Sequence, residues 1–138
     1  MGISAIPHAA VRVATAIVAV LDDQEDPKTI NQWSRSVGVS PSQLRAHCRS
    51  AGLTAKATLD FARLLRAVAQ ARSAAWRIQY ALDTVDVRTV GRLLGRAGIG
   101  GALYLLTPED FVIRQRLVSD PVVLREVTRL LELRPVPR

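Results

Sequence analysis

The sequence predicts an all-α protein, a bundle of helices without a sheet. Strand signals are nearly absent: no stretch sustains an apolar/polar alternation, and no Asn-Gly or Asp-Gly hairpin occurs. Helix starts recur along the chain, and between them apolar residues return at helical spacing. With 138 residues, 49% of them hydrophobic, the chain has material for one cored domain or two very small ones.

Each element has its own warrant. Pro7 suits the first turn of a helix reaching about Leu21, with Val11, Ala14, Val18 and Leu21 on one stripe. The acidic connector Asp22, Asp23, Glu25 and Asp26 then precedes Pro27, and it reads as a solvated loop rather than an acid/base pair. Thr29 with Gln32, and Ser40 with Gln43, fit the capping box, in which two side chains reciprocally satisfy backbone donors. Ile30, Trp33 and Val37 form the apolar face of a short helix, and Gly38 follows where positive φ is cheap. Val39, Leu44 and Cys48 form the inner face of a second helix, opened by Ser40 with Pro41 in its first turn.

Thr54 can cap a long helix whose stripe is Phe61, Leu64, Leu65, Val68, Ala71, Ala75, Ile78 and Leu82. Asp86 can cap another reaching Ala97, stopped by Gly98. Thr107-Pro108-Glu109-Asp110 and Asp120-Pro121 open two more, the last carrying Val123, Val127, Leu130 and Leu131. That last apolar surface is wider than a surface helix needs. It can be buried against the rest of the domain, a second copy or a protein partner. Two regions follow from this division: residues 1–83, and residues 84–138.

Charge is distributed unevenly along these elements. The net of +7 resolves into −3 over residues 1–27, +9 over residues 28–100 and +1 over residues 101–138. A polyanion, if one is bound, is expected to meet the middle block. The competing reading is a compositional bias toward Arg with solvated basic faces.

The middle block also holds the most informative segment, Thr29 to Ser50. Two short amphipathic helices joined through a glycine turn describe a helix-turn-helix, in which the first helix packs on the second and the second presents its outer residues to a major groove. Taken alone, this pattern equally describes a packed helical hairpin. Outward on the second helix lie Ser42, Arg45, Ala46 and Arg49. Arg45 leads as a base-contacting residue, because a guanidinium can read a guanine edge through two hydrogen bonds. Helix starts near Thr29, Ser40 and Thr54 offer N–H groups and hydroxyls to phosphates.

From Pro7 to about Ile99 the chain resembles the DNA-binding domain of AraC-type (AraC/XylS) transcription regulators. The segment Thr29-Ile30-Asn31-Gln32-Trp33-Ser34-Arg35-Ser36-Val37-Gly38-Val39-Ser40-Pro41-Ser42-Gln43-Leu44-Arg45 is similar to that family's first helix-turn-helix. Ala51-Gly52-Leu53-Thr54 resembles its step into a linker helix, and Arg63-Leu64-Leu65-Arg66-Ala67 a stretch of that helix. Thr89 to Ile99 resembles the start of a second unit. Beyond it, Gly100 to Leu106 replaces the family's polar recognition helix, so the second helix-turn-helix is degenerate. The family's effector-binding domain has no counterpart here. Cys48 replaces a bulky aromatic, and Ala46 leaves one outward position without a polar group. The resemblance implies a bacterial, sequence-specific DNA-binding regulator of transcription, with one helix-turn-helix in the major groove of double-stranded DNA. The DNA-contacting set expected on this basis is Ser40, Ser42, Gln43, Arg45, Arg49, Arg63 and Arg66. If about five phosphates are neutralised, log K should fall against log salt with a slope near roughly −4.5.

Other chemistries find little support. One cysteine excludes an internal disulfide, and Cys48 with His8 and His47 leaves few soft ligands for zinc. Cys48 beside Leu44 reads as a packed thiol, and Trp33 and Trp76 as core. No Ser-His-Asp order, phosphate loop or metal spacing occurs, so neither an enzyme nor a cofactor is expected. The longest apolar run, Ala16 to Leu21, is far short of a membrane span, and a cytoplasmic setting without membrane contact is the expectation. The alternative to DNA binding is a helical protein-interaction module on a helix-turn-helix scaffold that has lost DNA readout. Residues 102–131 would then hold a protein partner; under the DNA reading the same region can pair two copies, since one helix-turn-helix recognises few base pairs and gains specificity by dimerising.

Overall fold

The computed structural model describes residues 8–74, 92, 95, 96 and 107–134, and among them there are helices and no strand. Helix α1 spans His8–Ala19 and runs into a 3₁₀ turn, Val20–Asp22. Helices α2 (Ile30–Val37) and α3 (Pro41–Ser50) form the glycine-turn pair, and α4 (Ala55–Ala74) is the long helix. Helices α5 (Pro108–Arg114) and α6 (Pro121–Glu132) complete the described chain. The segment expected to form a degenerate second helix-turn-helix, Trp76 and the apolar stretch 102–106 lie outside the described residues, save that Arg92, Gly95 and Arg96 have helical backbone.

Local sequence explains where these helices begin. The Ser40 hydroxyl accepts from the Gln43 N–H at 3.1 Å and the Gln43 side chain accepts from the Ser40 N–H at 3.0 Å, a complete capping box. At α2 only half of the expected box forms. Thr29 accepts from the Gln32 N–H, but the Gln32 side chain takes the N–H of Lys28 instead of that of Thr29. Thr54, Thr107 and Asp120 cap α4, α5 and α6, the Asp120 carboxylate accepting two backbone N–H groups. Gly38 closes α2 at φ 83° and Gly52 follows α3 at φ 76°, backbone that a residue with a Cβ adopts only at a cost.

Helix α4 is the axis of the molecule. Every residue from Thr58 to Val68 is buried, because α1, α2, α3, α5 and the 3₁₀ turn all pack on it. Phe61 stacks on Phe111 of α5 with ring centroids 5.6 Å apart and planes 13° from parallel. Trp33 of α2 is fully buried, and its indole N–H donates at 2.9 Å to the carbonyl of Ala16, one of the last four carbonyls of α1. These contacts tie the glycine-turn pair to α1 and α4 alike.

The buried face of α1 differs from the expected stripe. It is Ala10, Val13, Ala14, Ala16, Ile17 and then Val20 and Leu21, with Val11 and Val18 only partly covered. Helix α1 is covered from two sides, by α6 and by α2–α4, so its periodicity alone did not single out one face. Helix α6 makes its most extensive packing against α1, and Val123, Val127 and Leu131 are buried there within the chain. Of the three coverings open to that stripe, the rest of the domain supplies it. Ile113 and Leu133 remain as the exposed large apolar side chains among the described residues.

Candidate nucleic-acid interface

Helix α3 has two faces of different chemistry. Leu44 and Cys48 point into the core, fully buried; burial pushes the Cys48 thiol up from its ordinary pKa, opposed by a hydrogen bond with Thr58. On the opposite side Ser42, Gln43, Arg45, Ala46 and Arg49 are exposed, as is Ser40 at the cap. The hydroxyl of Ser40 and the amide of Gln43 are already engaged with the backbone of the first turn, so both shape the helix start. Ser42, Arg45, Arg49 and Ser50 are the exposed polar side chains of α3 outside its cap.

The charge around α3 is one-sided. From Pro27 to Leu59 the chain has five basic residues, Lys28, Arg35, Arg45, Arg49 and Lys56, and no acid. Arg35, Arg45 and Arg49 are exposed, and among the described residues none of them meets a carboxylate. Lys56 is different: it and Arg96 converge on the buried carboxylate of Asp60, at 3.1 and 2.8 Å.

Arg63 and Arg66, expected to face phosphates, turn inward instead. They are 7% and 3% exposed. Arg63 Nε reaches both carboxylate oxygens of Asp26, at 3.1 and 3.0 Å, and Nη2 reaches Oδ2 at 2.7 Å. Arg66 Nη2 donates to the backbone carbonyl of Asp23 at 3.0 Å. The physical reason is their position on α4: both lie within the segment that is enclosed on all sides, where a charge persists only with partners.

Those partners come from the acidic connector, which is solvated at Asp22 and Glu25, as its composition suggested, but not at Asp26. Asp26 is 4% exposed and sits in a socket. Burial raises its pKa, against the lowering effect of the Arg63 hydrogen bond and of the charges on Arg63, Arg66 and Lys28. Asp23 accepts a short hydrogen bond from the Ser36 hydroxyl on α2. Asp22 pairs with Arg134 after α6, both contacts at 3.1 Å, and it and Glu25 are exposed. Sequence reasoning gave Asp26, Asp23 and Ser36 no inward role. The signal it could have used is the pair of arginines inside the apolar run Phe61–Val68, which demands acidic or carbonyl partners from elsewhere in the chain.

Among the described residues, no group of three or more His, Cys, Asp or Glu is placed to hold a metal ion. No helix among them is long and apolar enough to cross a membrane. No protein-family model, curated protein or solved structure matches this chain.

Proposed function

We propose that this chain is a DNA-binding protein, not an enzyme, whose α3 enters the major groove of double-stranded DNA as the reading helix of an AraC-like transcription regulator. The observation that supports this reading most is the outer face of α3. Arg45 and Arg49 stand exposed on a helix whose inner face is locked by Leu44 and Cys48, and no carboxylate among the described residues neutralises them. Arg45 takes the base-reading role, with two donors matched to a guanine edge. Ser42 reaches a base or phosphate from the first turn, and Arg49 and Arg35 hold phosphates.

The inward turn of Arg63 and Arg66 sharpens the expected salt dependence. Three cations, Arg35, Arg45 and Arg49, correspond to a slope of about −2.7 in log K against log salt. Fluorescence anisotropy with labelled duplexes over a salt series tests the reading. Binding at low salt with a slope of that size supports it; no binding to any duplex at low salt contradicts it.

A helical protein-interaction module is the second reading. Ala46, exposed in the middle of the outer face of α3, and Ile113, 79% exposed on α5, favour it. The burial of the α6 stripe on α1 weakens it, because that stripe was the widest apolar surface available to a partner.

A further inference from the structure

Two polar joints, one buried and one partly buried, hold the two ends of α2. Its approach is held where Asp26, three residues before the Thr29 cap, receives three hydrogen bonds from Arg63 of α4. Its last turn is held where the Ser36 hydroxyl donates to Asp23, whose own carbonyl accepts from Arg66. Arg63 and Arg66 are three apart on α4 and so lie on one side of it. One side of the axis helix thus grips both ends of α2, and α2 passes through Gly38 directly into α3.

An ion pair is a poor choice for stability in such a place. Withdrawing both charges from water costs about as much as their attraction returns, and a well-packed apolar pair of similar volume often does better. It does supply direction. Apolar contact is proportional to area and indifferent to angle, whereas a guanidinium on a carboxylate accepts a narrow range of geometry. We propose that Asp26 and Arg63, backed by Asp23, Arg66 and Ser36, are positioning residues. They fix the angle at which α2, and with it α3, stands on α4, and so set how well α3 discriminates between DNA sequences. The inference rests on the DNA-binding reading for its functional consequence, while the fixing of the angle stands apart from it.

The test is the double variant Asp26→Leu/Arg63→Met, made in the full chain, which replaces the pair with apolar side chains. Duplexes are selected from a random pool with the unmodified protein, and affinities for a selected and a scrambled duplex are compared. The variant is expected to unfold at a midpoint close to that of the unmodified protein. Its preference for the selected duplex should fall about tenfold, roughly the size of one lost base contact. A preference equal to that of the unmodified protein, in a folded double variant, overturns the proposal.

Arg63→Lys gives a second route, since it keeps the charge and loses the planar fork. Its preference should fall in the same direction, and an unchanged preference again overturns the proposal. If neither variant folds, the pair carries the fold instead of choosing a geometry within it, and the proposal is wrong. If the unmodified protein binds no duplex, the DNA reading has failed and the proposal is decided without DNA. Proton–nitrogen spectra should then show α2 and α3 resonances, the Trp33 indole among them, shifted or broadened in the variants while those of α6 stay in place. Unchanged α2 and α3 resonances overturn it.

Discussion

The arginines of α4 and those of α3 belong to one basic block of the sequence, yet they do opposite work. Arg63 and Arg66 are buried and engaged by Asp26 and the Asp23 carbonyl. Arg45 and Arg49 are exposed, with no carboxylate partner among the described residues. The block carries a net of +9 in sequence, but its charge is not all available to a ligand. What separates the two pairs is the helix beneath them. Helix α4 is enclosed from Thr58 to Val68, so a charge on it must be answered from within the chain; α3 is enclosed on one face only.

The comparison breaks most visibly at Asp26. Asp26→Leu takes the carboxylate from a guanidinium that cannot shed its proton, and should cost about 3–5 kcal/mol of stability, read from denaturant unfolding followed by circular dichroism. Arg63→Met should cost less, about 2–3 kcal/mol at neutral pH, because the carboxyl left behind can take up a proton. Its pH dependence has a definite sign. Burial already raises the pKa of Asp26 in the folded state, and losing Arg63 removes the interactions that oppose this. A group with a raised folded pKa contributes stability that is fully present below its unfolded pKa and is lost as pH rises through the folded one. The Arg63→Met deficit should therefore narrow as pH falls from neutral into the ordinary carboxylate range. A deficit independent of pH would contradict the placement of Asp26.

The outward pair should behave in the reverse manner. Arg45→Ala should leave stability within about 0.5 kcal/mol of the unmodified protein, as exposed substitutions generally do. It should still lose about 1–3 kcal/mol of discrimination between duplexes, measured by anisotropy on selected and scrambled DNA. Smallest is Ser40→Ala, which removes one arm of the capping box at the start of α3 and should cost about 1 kcal/mol in thermal or denaturant unfolding.

What could be read from the sequence was what is local. Ser40-Pro41 with Gln43, Thr107-Pro108 and Asp120-Pro121 announce helix starts through hydrogen bonds that span two or three residues, and the structure places helices there. Leu44, Cys48 and Trp33 were legible as core because a short helix with polar neighbours has one apolar face. The face of α1 was not, since a helix apolar nearly all round is compatible with several stripes and two neighbours cover it. Nor was the Asp26–Arg63 pair, whose members lie 37 residues apart and whose types are ordinarily found at the surface. The outer face of α3 was legible as an inventory of side chains; the division of the arginines into used and available needed the packing of α4.

The salt dependence of duplex binding tests that division most directly, comparing the unmodified protein with an Arg45→Ala/Arg49→Ala variant over one salt series. The unmodified protein should give a slope of about −2.7 and the variant a shallower one, about −1, with unfolding midpoints alike. A slope near about −4.5 would mean that inward arginines reach phosphates after all. Equal slopes for the two proteins, or no duplex binding at low salt, would contradict the assignment of α3 as the DNA-contacting helix.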